Sequence, residues 1–182
     1  MQANKPAIDP VLTQLYESPY GTLILGAHNN KICLCDWVER RTRTRIDERI
    51  QGLLNASYVK QASETTDMAI TQLEAYFTQQ SNTFDLPLLM LGTPFQQTVW
   101  QCLANIPYGS TVSYLQLAKQ INKPSAVRAV ANANNANAIS IIIPCHRVIG
   151  SDGNLRGYAG GLETKQHLID LEISTRSHSH NQ

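Results

Sequence analysis

Ile139-Ser140-Ile141-Ile142-Ile143-Pro144-Cys145-His146-Arg147-Val148 is the stretch on which the reading of this chain turns. Its isoleucines form a short apolar run of the kind a buried strand makes, and Pro144 ends any ladder. The chain is then delivered to a cysteine with a histidine and an arginine behind it. A thiol is a nucleophile only as thiolate, and its free pKa of ~8.5 leaves a few per cent ionised near neutrality. A reaction at Cys145 therefore needs a group that lowers that pKa or takes the proton. Neighbours on a strand point opposite ways, so His146 reaches Cys145 only through a turn or a bridging water. A histidine base also needs an acceptor on its other nitrogen. Glu172 is the candidate. In a final helix over about 162–173, Lys165, Leu168 and Ile169 share its face, which sets a carboxylate beside an apolar stripe. A glutamate at the helix rim is the plainer alternative.

Working outward, Asp152-Gly153 signals a tight turn at a hairpin tip. Gly157-Tyr158-Ala159-Gly160-Gly161 follows: either a backbone that can approach a flat ligand, with Tyr158 as wall, or a plain flexible loop. Upstream, Phe95, Val99, Trp100 and Leu103 share a helix face that ends at Pro107-Tyr108-Gly109. Ser113-x-x-Gln116 is a capping box opening a helix to about Ile121. Asn122-Lys123-Pro124 turns into a second helix, Ser125 to about Asn135. The pair fits a helix-turn-helix and equally a plain helical hairpin. Ala126, Ala129, Ala131 and Ala133 keep the second helix low, with Arg128 its one charge. It either lies close to a groove floor or packs inside with Arg128 snorkelling outward. Asn132, Asn134, Asn135 and Asn137 carry its end into a structured loop.

The first half reads differently. Residues 11–37 alternate as a small antiparallel meander that turns at Ser18-Pro19 and Asn29-Asn30. Helices are expected over 42–54 and near 67–79, then a linker or crossing segment over 80–94. Cys33 and Cys35 read as small buried hydrophobes on one face of a strand. An apolar share of 42% suits a folded core and excludes a disordered chain. No apolar run is long enough to span a membrane, and Met1 to Pro10 is too polar for a signal peptide, so the expected location is the cytoplasm. The net charge of +1 favours no partner by itself. Its distribution does: acidic groups exceed basic ones through residue 91, whereas residues 92–162 set Lys119, Lys123, Arg128, Arg147 and Arg156 against Asp152. The second half is the better partner for a polyanion. His178 and His180 lie in a tail read as a frayed end, with metal binding a remote alternative.

Together, Pro144-Cys145-His146-Arg147-Val148 and Gly157-Tyr158-Ala159-Gly160-Gly161 resemble the active-site region of the O6-alkylguanine-DNA alkyltransferases. Gly92-Thr93-Pro94-Phe95-Gln96-Gln97 to Trp100, Ser113-Tyr114 and Arg128-Ala129-Val130 extend the likeness, which is strong over 92–173 and loose before it. The resemblance implies an α+β fold. A ribonuclease-H-like α/β domain, antiparallel sheet plus helices, would span 1–91. A winged helix-turn-helix-like, mostly α domain would span 92–175, and a flexible tail 176–182. It implies Cys145 as alkyl acceptor, His146 taking its proton through a water, and Glu172 holding His146. Tyr114 would protonate the leaving guanine, with Lys165 assisting near its hydroxyl. Asn137 would brace the turn and Arg128 fill the gap left by the flipped nucleotide. Val148 and Ala159 would contact the base through backbone groups, and Tyr158 would form the wall. Ser113, Ala129 and Arg147 fall among the implied DNA-binding positions. The partner would be double-stranded DNA, with single strands also open, carrying O6-alkylguanine and bound through the minor groove by a monomer. No cofactor is expected, since the methyl comes from DNA, and no metal.

The chain departs from the family pattern at Ala138, commonly proline, and at Val127, commonly alanine. The first is expected to loosen the loop that positions Cys145, the second to weaken DNA approach. Three rivals remain. Lesion-binding relatives lack the acceptor cysteine. Alkylation-responsive regulators carry an additional cysteine-rich metal domain. A Cys-His-Glu hydrolase would need an oxyanion site that nothing here suggests.

Overall fold

The structure, a computed structural model, describes residues 9–178, with the backbone alone described for 175–178. Met1 to Ile8 and residues 179–182 lie outside it, and with them most of the expected leader-free N-terminus and His180.

Three strands, β1 (Val11–Ser18), β2 (Gly21–His28) and β3 (Lys31–Trp37), form the antiparallel meander. Asn29 and Asn30 both take positive φ, 48° and 59°, which a two-residue hairpin of matching twist requires. Helix α1 (Arg43–Leu54) follows, then β4 (Tyr58–Lys60), a strand the sequence did not announce. It lies parallel to β1, so the sheet order is β3-β2-β1-β4 and the sheet is not purely antiparallel. Three residues, two of them exposed, hold too little pattern to read. Helix α2 (Glu64–Phe77) begins before the expected residue 67 because Ser63 and Thr66 close a capping box.

Cys33 and Cys35 are both buried, but they do not share a face. Ala27 opposes Ile32 and Gly26 opposes Leu34, so Cys33 is the extra residue of a bulge. Cys35 joins the core under α2, and Cys33 joins a separate cluster with Ile46 and Ile50 of α1.

β3 would be an open edge, but two later segments cover it. Ile32 exchanges backbone hydrogen bonds with Pro87 and Leu89, so the expected linker partly extends the sheet. Farther along, Cys35 N donates to Ala138 O at 2.8 Å, and Ser140 N donates to Cys35 O. The Cys145 loop is therefore fastened to the first half of the chain.

Helix α3 (Pro94–Ala104) is capped by Thr93 and Gln96. At Gly92 a Cβ would sit 2.4 Å from the Trp100 ring, so glycine alone admits that indole. Trp100 Nε1 donates to Ala133 O at 2.8 Å and ties α3 to the next pair of helices. These are α4 (Tyr114–Gln120), opened by the Ser113–Gln116 box, and α5 (Val127–Asn135), with Asn122 at φ 57° between them. Pro124 and Ser125 belong to the turn, so α5 starts two residues later than expected. β5 (Val112–Ser113) and β6 (Val148–Ile149) form a small parallel pair beside α4. Gly153 (φ 78°) makes the expected turn, but no second strand returns from it and no hairpin forms. Helix α6 (Gly161–His178) runs past the expected end at 173 and takes in residues 176–178 of the expected tail. One apolar cluster runs from Leu23, Leu25 and Tyr76 through Trp100, Leu117 and Val130 to Leu168, so both halves of this α+β chain share a core. Among the described residues no helix is long and apolar enough to cross a membrane.

Candidate active site

The run 139–143 is a compact turn and not the expected strand; it makes only single bridges, Cys35 with Ile139 and Ser140 with Ile143. Ile142 N donates to Ser140 O at 2.9 Å, closing a three-residue turn on Ile141 at φ 71°. A β-branched residue rarely adopts that side of backbone space, so the turn is strained and held by its surroundings. Pro144 (φ −80°, ψ 63°) centres a second three-residue turn of the commoner hand, closed by Cys145 N to Ile143 O. Ile139, Ile141 and Ile143 are all buried. An apolar run without alternation does not separate a buried strand from a buried turn.

A single 3₁₀ turn, Cys145–Arg147, follows. With three residues per turn its side chains fan out about 120° apart. Cys145 is buried, and its Sγ accepts from Asn137 Nδ2 at 3.2 Å. The same amide nitrogen donates to Ile143 O at 2.9 Å, and Asn137 Oδ1 accepts from Ile139 N at 2.9 Å. Asn137 thus stitches the turn and touches the sulfur. Arg40 reaches across from the first half to donate to the carbonyls of Asn137 and Asn135, while Asp36 anchors Arg40 and Arg43 and accepts from Ser140 Oγ. These ties oppose the loosening expected from Ala138, which is itself buried beside Cys33 and Leu34.

His146 is fully buried, and its Nε2 lies 2.7 Å from Glu172 Oε1. Glu172 is buried but saturated with donors. Tyr76 hydroxyl at 2.8 Å and Arg147 Nη2 at 3.0 Å also reach Oε1. Arg147 Nε at 2.8 Å and Gly109 N at 3.0 Å reach Oε2. Burial pushes the Glu172 carboxyl up, but the His146 and Arg147 hydrogen bonds and charges outweigh it and hold it at about 2. Burial pushes the His146 imidazole below its usual value, against the pull of Glu172. The ring is therefore neutral beside an ionised carboxylate that can only accept. Nε2 carries the proton, and Nδ1, buried without a partner among the described residues, keeps its lone pair.

Burial raises the Cys145 thiol above its ordinary value, while the Asn137 hydrogen bond and the charges of Arg40 and Lys165 pull it down. The resting group is a thiol. Lys165 is fully buried, with its pKa lowered to about 8 by burial; Nζ donates to Val148 O at 2.6 Å and Arg156 O at 2.8 Å. It sits 6.0 Å from the centre of the Tyr114 ring. Burial raises the Tyr114 hydroxyl to about 12, and Cys145 as thiolate adds to the rise. The Val148 carbonyl expected to meet the base already accepts from Lys165, which leaves its second lone pair. Tyr158 hydroxyl accepts from Trp37 Nε1 at 3.1 Å, and its ring stands edge-on to both Trp37 and His146. A Cβ at Gly160 would lie 2.8 Å from Trp37, which explains a glycine there.

Arg128 and Ala129 are exposed on α5, and Ser113 caps α4. Arg147 does not belong with them. Its guanidinium is buried, engaged by Glu172 and the Ile106 carbonyl and stacked over Tyr108, so the expected DNA contact is corrected to a structural one. Tyr76, Asp36, Arg40 and Trp37 were missed as site residues. Asp36, the one charge inside the apolar run 32–37, was the available signal. Among the described residues no group of three or more His, Cys, Asp or Glu is placed to hold a metal ion.

Two family models match the chain. The ribonuclease-like domain of 6-O-methylguanine DNA methyltransferase covers residues 11–90, and its DNA-binding domain covers 94–174. A methylated-DNA–protein-cysteine methyltransferase of Methanosarcina barkeri is 44% identical over 158 residues, 87% of this chain and 94% of that protein. The protein of that name from Mycobacterium tuberculosis is 53% identical over 158 residues, 87% of this chain and 90% of its own. Among solved structures, M. tuberculosis OGT in complex with DNA superposes with a TM-score of 0.78 at 41% identity, covering 91% of this chain and 94% of that one. The O6-methylguanine-DNA methyltransferase of Pyrococcus kodakaraensis gives 0.60 at 25% identity, covering 89% and 98%.

Proposed function

The chain belongs to the 6-O-methylguanine DNA methyltransferase family, and from that premise we propose that Cys145 takes the alkyl group from O6 of a guanine flipped out of DNA. The protein is a methylated-DNA–protein-cysteine methyltransferase that repairs DNA by direct reversal. The observation that carries the choice of residue is the His146–Glu172 pair. A carboxylate fixes the imidazole at 2.7 Å so that the free Nδ1 lone pair remains to accept a proton, one residue from a buried thiol already held by Asn137.

In this reading Nδ1 draws the Cys145 proton through one water, and the thiolate attacks the alkyl carbon. The C–O6 bond breaks, its electron pair passes to the guanine, and Tyr114 supplies a proton to a ring nitrogen as the base leaves. Lys165, cationic below about pH 8, steadies the developing charge near Tyr114 and Cys145. The product is a thioether, and no group in the site is suited to cleave it, so each molecule acts once.

The lesion lies inside a duplex and must be extruded, at about a few kcal/mol. Arg128, exposed and without a hydrogen bond or ion pair among the described residues, fills the space the base leaves. The alanine face of α5 suits the narrow minor groove. Tyr158, braced by Trp37, and Ala159 wall the base. The protein works as a monomer, in the cytoplasm. Incubation with excess duplex carrying O6-methylguanine tests the reading. Repaired guanine should plateau at one per protein, and repair that continues past one equivalent would contradict single use.

A further inference from the structure

A cleft of about 880 Å³ opens between the segment after β3 and the outer face of α5. Cys145 does not line it, and it meets the reaction site at Arg40 and at residues 157–159. Among the described residues its walls carry Arg40, Arg41, Arg45 and Arg49 and no carboxylate. Asp36 lies buried beneath Arg40 and Arg43, Asp47 pairs with Arg43, and Glu39 and Glu48 stand outside the walls. Two of the four heads are tethered: Arg40 to the Asn135 and Asn137 carbonyls, and Arg49 to Ala136 O at 2.8 Å, over the Trp100 ring. Arg41 and Arg45 are exposed and have no hydrogen bond or ion pair among the described residues.

The cleft is short of negative charge. Arg49 Nε is buried without a partner among the described residues, and burial, with repulsion from Arg40 and Arg45 and against the pull of Asp36, lowers the guanidinium to about 10. A polyanion laid in the cleft would relieve this. The opposite wall points to which one. Asn132 and Asn135 of α5 line it, and Arg128, four and seven residues before them, shares their helix face. The arginine cleft thus continues the surface that carries Arg128.

We propose that this cleft is a second DNA site, taking phosphodiesters of the backbone next to the stretch α5 engages, so that the first half of the chain holds DNA directly. The inference rests on α5 as the DNA-facing helix. Each phosphate neutralised steepens the fall of log binding constant with log salt by about 0.9 on duplex DNA. The test uses unmodified duplex, fluorescence anisotropy across a salt series, and the double variant Arg41→Ala/Arg45→Ala. The slope should become shallower by about 1 to 2, and low-salt affinity should fall about tenfold. Alkylation of Cys145 by free O6-methylguanine base should keep its wild-type rate, and Lys31→Ala, outside the cleft, should leave the slope alone. An unchanged slope, or the same change from Lys31→Ala, overturns the proposal. So does saturable binding of inorganic phosphate lost in the double variant while the duplex slope stays put, which would mark a small-anion site. Failure of Cys145 to accept an alkyl group would defeat the reaction reading separately, because the slope is measured without a lesion.

Discussion

Glu172 answers to four residues at once, and that crowding makes it the most consequential side chain after Cys145. Replacing it by glutamine removes the counter-charge of buried Arg147, and breaking a buried pair by removing one partner costs about 3–5 kcal/mol. Glu172→Gln should lose stability of that order in urea unfolding; a loss below about 1 kcal/mol would mean that the network is not held by charge. It should also slow alkyl transfer on the order of 100-fold, since the imidazole is no longer held as a base. The pH dependence has a definite sign. Glu172 ionises at about 2 against an ordinary 4.5, so stability present above 4.5 is lost as pH falls toward 2. The depressed imidazole of His146 adds a loss of the same sign below 6.5. Melting temperature should therefore fall steadily from about pH 6.5 downward, and the fall below 4.5 should flatten in Glu172→Gln. A wild-type melting temperature constant from neutrality to pH 4 would contradict this assignment.

At the scale of elements, α2 and the segment after β3 matter because they reach the reaction site from outside it. Tyr76 of α2 donates to Glu172 Oε1, and that bond crosses from the first half of the chain to α6. Tyr76→Phe should cost about 1 kcal/mol by thermal unfolding and slow transfer without changing DNA affinity; wild-type stability and rate together would remove Tyr76 from the network. On α5, Val127 is half-buried against the core, so its extra methyls serve packing as well as surface. Val127→Ala should bind duplex modestly tighter at matched salt, and equal binding would refute a role for that bulk. Legibility differed by element. The Ser113–Gln116 box and the Asn29-Asn30 turn were readable because each rests on local hydrogen bonds or a local φ requirement. The turn at Ile141, the bulge at Cys33 and the strand β4 were not, because packing against distant segments decides them. Helix spacing offered Glu172 as a candidate partner for His146 beside the plainer helix-rim alternative, and the family resemblance implied the pair. The inward direction of Arg147 could not, since a 3₁₀ turn replaced the strand that would have alternated its neighbours.

For the whole molecule, the first half is best understood as the frame that holds the reactive turn. The shared apolar core, the backbone bonds from Cys35 to Ala138 and Ser140, and the Arg40 clamp all press on the same few residues. That frame accounts for a buried thiol kept beside a neutral imidazole and an ionised carboxylate, and for an Ile141 backbone that a free loop would not sustain. The central claim is that this frame serves one sulfur atom. Intact-protein mass after incubation with a duplex carrying one O6-methylguanine, followed by mapping of the modified peptide, tests it most directly. The account predicts a gain of one methyl group, located on Cys145, saturating at one per protein and absent in Cys145→Ser. Tight binding of the lesion with no change in mass, or a methyl group on Cys33, Cys35 or Cys102, would contradict it.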